Sequence, residues 1–208
     1  MHITGNTVVD AIATIRDQWD DAAASRFPQF FDGKELVLVT AHRRENHGEV
    51  LRHICAAVRI LCEQHPELGF VFPVHPNPQV HNVVFDELSS IANLHLIGPV
   101  DFETSLYLQS RARLIVTDSG GIQEEAPSFA VPTVVMRAHT ERSEGIEAGF
   151  ATLAGTSTAD IVNAAQAYLG DAGLKTQLAQ RPNPYGDGRA SKRILDILLG
   201  KKIEAFHG

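Results

Sequence analysis

The sequence predicts an α/β domain built on a doubly wound parallel sheet, and two observations support this fold class. Short apolar runs, often β-branched, alternate along the chain with amphipathic segments of helical period. The apolar runs are continuous rather than alternating, as expected for strands that are buried on both faces of a sheet. Strand–helix–strand repetition at this spacing is typical of doubly wound domains.

The individual elements follow from this pattern in chain order. The predicted strands are 35–42, 69–75, 93–98, 113–119, 132–137 and 151–155. The predicted helices are 48–65, 78–91, 102–112, 122–130, 157–171 and 190–203. The turn-rich segment 181–190 separates the last two helices, and the last helix carries Ile194, Leu195, Leu198 and Leu199 on one face.

Length, charge and cysteine spacing exclude several classes of protein. A chain of 208 residues suits one substantial domain or at most two small ones, and its net charge of -7 disfavours nucleic-acid binding. The first residues lack the layout of a signal peptide, and no apolar run approaches about 18 residues, so we expect a cytoplasmic protein without a membrane segment. Cys55 and Cys62 lie seven residues apart in a predicted helix, about 10 Å between Cα atoms, which is too far for a disulfide. We predict no metal site.

Polar residues cluster where the predicted strands end. "HRRE" (42–45) follows the first strand, "HPN" (75–77) the second, "DSGG" (118–121) the fourth, and Arg137 with "TERSEG" (140–145) the fifth. Ligands of open parallel sheets bind beyond the carboxyl ends of the strands. These four strand ends therefore predict one binding site at a common rim.

The segment "TDSGGIQEEAP" (117–127) favours a nucleotide ligand. Ser119, Gly120 and Gly121 can offer backbone N–H groups and a hydroxyl to a phosphate. The alternative is a tight turn that uses glycine for positive φ and glutamate for the helix dipole. Glu125, one turn further, can accept two hydrogen bonds from a ribose diol. The sequence has no GxGxxG after the first strand and no Walker A lysine, so we expect no NAD- or ATP-type chemistry and no cofactor.

Two further segments carry candidate functional residues. In "AHRRE", His42 can donate or transfer a proton, and Arg43 and Arg44 present guanidinium groups suited to phosphate oxygens. The alternative there is a solvated charged loop. His75 lies in the proline-bounded "PVHPNP", where a role in binding and a role in loop hydrogen bonding both stay open. "NPYGDG" (183–188) is predicted to form a turn.

Five segments, in this order and spacing, resemble the bacterial non-hydrolysing UDP-N-acetylglucosamine 2-epimerases. They are "VTAHRREN", "PVHPNP", "LIVTDSGGIQEEAP", "VVMRAHTER" and "NPYGDG". "ITGNTVVDAI" at the start resembles the junction between the two domains of that family. The resemblance implies Rossmann-like domains in the GT-B arrangement, with the sugar nucleotide in the cleft. Residues 1–208 then form a single Rossmann-like UDP-binding domain, the C-terminal half of such an enzyme.

The resemblance also implies roles for particular residues. His42 lies near the diphosphate and the reacting sugar as a catalytic residue, and Arg43 and His75 contribute to an allosteric site for a second UDP-GlcNAc. Ser105 stands where relatives often have an aromatic residue, so no base-stacking residue is named. The residues implied to hold UDP are Ser119, Gly120, Gly121, Glu125 and Arg142.

The activity implied is conversion of UDP-GlcNAc to UDP-ManNAc, by elimination of UDP and its re-addition on the other face, within cell-envelope polysaccharide biosynthesis. The essential acid and base carboxylates of that family precede the junction. We therefore expect this chain to fold and bind UDP without epimerising alone, and to meet an N-terminal half on which helix 190–203 packs; the family tends to form homodimers. Alternatives are a GT-B glycosyltransferase using a UDP-sugar, a non-catalytic sugar-nucleotide-binding subunit, and a hydrolysing epimerase.

Overall fold

The core of the protein is a six-stranded sheet in which all strands are parallel. The computed structural model describes residues 1–19 and 33–207, so residues 20–32 and 208 of the predicted 1–208 domain lie outside the description. The strands are β1 Leu36–Thr40, β2 Gly69–Pro73, β3 Leu94–Ile97, β4 Ala112–Thr117, β5 Thr133–Val135 and β6 Ala151–Leu153. Their spatial order is β3-β2-β1-β4-β5-β6. The predicted doubly wound α/β fold is confirmed.

Helices connect and cover these strands. They are α1 Thr7–Arg16, α2 Glu49–Gln64, α3 Pro78–Leu88, α4 Phe102–Arg111, α5 Gly120–Glu125, α6 Ser143–Glu147, α7 Thr158–Leu169, α8 Leu174–Leu178 and α9 Ala190–Leu198. Two 3-10 turns occupy Arg44–Asn46 and Ala126–Phe129. Helix α1 was not among the predicted helices, since the overlapping segment 3–12 was interpreted only as a domain junction.

Both faces of the sheet are buried, which explains the continuous apolar runs. Val37 and Val39 of β1 pack with apolar residues of α2, α3 and α7 on one face. Leu36 and Leu38 point to the opposite face, where they pack with residues of α4 and α5. Because side chains alternate along a strand, positions 36–39 of β1 must all be apolar to satisfy both layers.

The predicted helix 122–130 differs from the observed one at both ends. Helix α5 begins at Gly120, and it gives way at Ala126 to a 3-10 turn. Pro127 has no backbone N–H to continue the α-helical pattern, and Ala130 closes the segment in the left-handed region with φ 54°. The helix that lies at the rim is therefore short, and it begins at the glycines themselves.

The predicted helix 190–203 is also too long, because α9 ends at Leu198. Gly200 has φ +70°, and the N–H of Lys201 bonds to the carbonyl of Asp196 at 2.8 Å, the pattern of a glycine-terminated helix end. At its start, the Asp10 carboxylate of α1 accepts the N–H of Ala190 at 3.1 Å. The four apolar residues predicted to share a face are exposed: Ile194, Leu195, Leu198 and Leu199.

The two cysteines are free and buried on α2, as the spacing predicted. Burial raises the pKa of the Cys55 thiol and of the Cys62 thiol to about 12, so both groups stay protonated at neutral pH. Among residues 1–19 and 33–207, no helix combines the length and apolar character needed to cross a membrane.

Candidate functional site

The candidate site lies where the sheet changes winding direction. Strands β1 and β4 are neighbours, and the chain leaves β1 toward α2 on one face and β4 toward α5 on the other. This divergence opens a crevice beyond the carboxyl ends of the two strands, the usual ligand position in such sheets. The loops after β1 and β4 thus face each other.

Asp118 holds the loop after β1 in place. Its side chain is fully buried, and Oδ2 accepts hydrogen bonds from the backbone N–H of His42 at 3.0 Å and of Arg43 at 2.9 Å. The Asn46 side-chain amide donates to the same oxygen at 3.0 Å, and Nδ1 of His42 lies 3.3 Å from Oδ1. No role of its own was predicted for Asp118. The available signal was a carboxylate directly after a buried strand.

A side chain at Gly120 or Gly121 would crowd charged side chains of the site. Neither residue has positive φ, so the alternative interpretation, a tight turn that uses glycine for positive φ, does not apply. A Cβ at Gly120 would lie 3.1 Å from Nη2 of Arg43 and 3.5 Å from Cζ of Arg142. The two guanidinium groups therefore pack against the start of α5, which Ser119 caps by accepting the N–H of Ile122 at 3.4 Å.

Glu124 forms an ion pair with Arg142, one of the cations of the candidate site. Its Oε1 accepts from Nε of Arg142 at 2.8 Å, and its Oε2 accepts from the Asn6 side-chain amide at 2.9 Å. Arg142 also contacts Glu141. Glu124 thus fixes the position of Arg142, and it links the site to the segment that precedes α1.

Glu125 lies beside Gly121 and is partly buried. Its Oε1 would be 3.3 Å from a Cβ at Gly121, and its Oε2 accepts a 2.6 Å hydrogen bond from the Gln109 side-chain amide. Burial raises the pKa of the Glu125 carboxyl, the Gln109 hydrogen bond opposes that rise, and the charge of Glu124 adds to it. Gln109 was missed in the sequence, where it reads as one polar position of an amphipathic helix.

His42 and His75 form a second group beside the glycine turn. Their ring centroids lie 6.3 Å apart with 20° between the ring planes. Both line a cavity of about 180 Å³ at the ends of β1 and β2, together with Ser105 of α4 and several apolar residues. Arg137, also noted at a strand end, is buried and bridges Glu45 and Glu141 at 3.1 Å each, so it supports the rim structurally.

The predicted site residues therefore fall into two adjoining groups on one rim. One group surrounds the start of α5 and contains Arg43, Ser119, Gly120, Gly121, Glu125 and Arg142. The other is the pair His42 and His75, joined to the first by Asp118. A larger cavity of about 950 Å³ lies beside Arg142, lined also by residues 1–6 and Tyr185. This arrangement can hold an extended anionic ligand along the rim.

Several known proteins of similar sequence and structure are described as UDP-N-acetylglucosamine 2-epimerases. The family model described as UDP-N-acetylglucosamine 2-epimerase matches residues 1–199. A probable UDP-N-acetylglucosamine 2-epimerase of Ralstonia solanacearum is 46% identical over 198 residues, covering 92% of this chain and 53% of its own. The crystal structure of UDP-GlcNAc 2-epimerase from Neisseria meningitidis bound to UDP-GlcNAc has a TM-score of 0.88 at 39% identity, covering 95% of this chain and 55% of the other.

A third match comes from the S. aureus MnaA-UDP co-structure, with a TM-score of 0.86 at 37% identity over 99% of this chain and 57% of the other. The chain spans about half the length of the curated relatives it matches. These matches confirm the resemblance in the sequence and do not favour the glycosyltransferase alternative. The chain belongs to the UDP-N-acetylglucosamine 2-epimerase family.

Proposed function

We propose that this chain is the nucleotide-binding half of a non-hydrolysing UDP-GlcNAc 2-epimerase, which interconverts UDP-GlcNAc and UDP-ManNAc. The observation that carries the proposal is the packing of the Arg43 and Arg142 guanidinium groups against Gly120, with the Glu125 carboxylate beside Gly121. Two cations and a carboxylate flanking one glycine turn match the diphosphate and the ribose of a nucleotide. The relatives solved with UDP-GlcNAc and with UDP support the same ligand.

In this proposal the start of α5 binds the diphosphate. Gly120 and Gly121 are the first residues of the helix, so their N–H groups have no partner within it and can donate to phosphate oxygens. Arg43 and Arg142 add positive charge from either side. The reaction proceeds by elimination of UDP and its re-addition on the other face of the sugar. The same donors then stabilise the charge that develops on the leaving diphosphate.

Glu125 binds the ribose hydroxyls, because its Oε1 lies at the Gly121 side of the turn while Oε2 is engaged by Gln109. His42 is the proposed catalytic residue near the diphosphate. Its Nδ1 faces Asp118, so Nε2 is the ring nitrogen available to a ligand, and the side chain is 44% exposed. Arg43 and His75 also contribute to the proposed allosteric site for a second UDP-GlcNAc.

The acid and base that act on the sugar are proposed to come from another part of the whole protein. The three carboxylates next to the glycines are already engaged: Asp118 with backbone N–H groups, Glu124 with Arg142, and Glu125 with Gln109. Abstraction of the proton at sugar C2 needs a carboxylate that faces the sugar with a free oxygen. The isolated chain is therefore proposed to bind UDP without converting UDP-GlcNAc.

The exposed apolar face of α9 is proposed to pack on that other half. Leu195, Leu198 and Leu199 are 56%, 78% and 60% exposed, an unusual amount of apolar surface for one short helix. We also propose a homodimer for the whole protein and a cytoplasmic location. The location is supported by two buried cysteines that are not joined in a disulfide.

Calorimetric titration of this chain with UDP tests the proposed function. We expect saturable binding of UDP that is lost in Glu125→Ala, with GDP as a control for the base. Glu63→Ala, which removes an exposed carboxylate of α2, is the matched control and should bind like the wild type. Equal binding of UDP by Glu125→Ala, or formation of UDP-ManNAc by the isolated chain, would contradict the proposal.

A further inference from the structure

Gln109 is a buried polar side chain whose position packing alone does not explain. It lies on α4 with no exposed surface, among the apolar residues that cover one face of the sheet. Its carbonyl oxygen Oε1 is buried and has no hydrogen-bond partner among the described residues. A buried acceptor without a donor is destabilising, and such a group in a folded domain calls for an explanation from function.

The other end of the same amide makes the short contact to the candidate ribose ligand. Nε2 of Gln109 donates to Oε2 of Glu125 at 2.6 Å and lies 3.4 Å from the Ser105 hydroxyl. An ionised carboxylate only accepts, so the amide must present its NH2 group to Glu125, and this requirement leaves its carbonyl facing away. The unpaired Oε1 is thus the consequence of holding Glu125.

We propose that Gln109 is a positioning residue: it binds Oε2 of Glu125 so that Oε1 stays at Gly121, and it thereby sets selectivity for nucleotides with ribose hydroxyls. The inference rests on the proposed function, since it requires Glu125 to meet the ribose. Gln109 itself touches no ligand in this arrangement. Gln109 acts through the Glu125 carboxylate. Burial and the charge of Glu124 raise the pKa of that carboxyl, and the hydrogen bond from Gln109 lowers it.

The test compares UDP with 2′,3′-dideoxy-UDP in calorimetric titrations of the full 208-residue chain. The wild type should bind UDP at least about tenfold more tightly than the dideoxy analogue, because one charge-assisted hydrogen bond to the ribose contributes about that much to affinity. In Gln109→Met, which keeps the length and removes the donor, UDP affinity should fall about tenfold with no change for the analogue. Gln109→His restores a donor and should recover the preference, whereas the exposed control Gln166→Met should match the wild type.

The outcomes separate the two proposals. Equal weakening of both ligands in Gln109→Met, or unchanged preference for UDP, would overturn the positioning role while leaving the nucleotide site intact. Absence of UDP binding by the wild type would overturn the proposed function and this inference with it. If Gln109→Met shows no cooperative thermal transition, Gln109→Asn, whose shorter side chain keeps an amide but withdraws it from Glu125, decides: loss of the preference for UDP supports the inference, and wild-type preference overturns it.

Discussion

Replacing the buried Asp118 carboxylate by an amide should destabilise the whole domain. In Asp118→Asn the side chain keeps its shape, but an NH2 group takes the place of one acceptor oxygen. The oxygens now accept from the backbone of His42 and Arg43 and from Asn46 at 2.9–3.1 Å. Hydrogen bonds to charged groups contribute about 1.5–3 kcal/mol each, so losing one or two of them, offset by the lower desolvation of an amide, predicts a loss of about 3 kcal/mol.

For a chain of 208 residues this loss corresponds to a fall in Tm of about 6–12 °C. Urea denaturation followed by fluorescence of Trp19, the only tryptophan in the sequence, measures the free energy of unfolding. Asp86→Asn, on the exposed side of α3, is the matched control and should change that free energy by less than about 0.5 kcal/mol. An Asp118→Asn variant as stable as this control would refute the reasoning that Asp118 organises the loop after β1.

Two further predictions concern Gly120 at the candidate site and the ion pair between Asp187 and Arg193. Gly120→Ala should weaken UDP binding about tenfold with little change in unfolding free energy, since its Cβ displaces only the flexible end of Arg43; calorimetry showing wild-type affinity would contradict this. The bidentate hydrogen bonds from Arg193 lower the pKa of the Asp187 carboxyl from 3.8 to about 2. Because that pKa is depressed on folding, the contribution of Asp187 to the free energy of unfolding is complete above pH 3.8 and is lost as pH falls toward 2. We expect a contribution of about 1 kcal/mol after solvent screening. Acid denaturation should show this loss in the wild type and not in Asp187→Asn.

Strand positions were predictable because burial on both faces leaves a strong signal in the sequence. Every residue of 36–39 is buried and apolar, and the same holds for most positions of the other central strands. Helix ends were less predictable. Gly200 ends α9 although the apolar pattern continues toward Ile203, and Pro127 ends α5 although the pattern runs to Ala130. Local backbone chemistry overrides hydrophobic period at such positions.

The site was predictable in outline, since its main residues follow strand ends that must share one rim. What the sequence did not reveal were the supporting residues. Gln109 and Asn46 act through hydrogen bonds to Glu125 and Asp118, partners 16 and 72 residues away, which no spacing within the chain indicates. The reason for the glycines was also hidden, because it depends on the side chains of Arg43 and Arg142 rather than on the backbone of the turn itself.

The sheet order has a consequence for how the protein folds. His42 and Asp118 are 76 residues apart, yet they meet because β4 pairs with β1, after β2 and β3 have extended the sheet on the other side. Closing so long a loop carries an entropic penalty that only the completed β1–β4 pairing repays. A chain synthesised only as far as β3 leaves one edge of β1 without its strand. Binding of the proposed nucleotide ligand at this rim would therefore report that the β1–β4 pair has formed, which makes the ligand a probe of that long-range folding step.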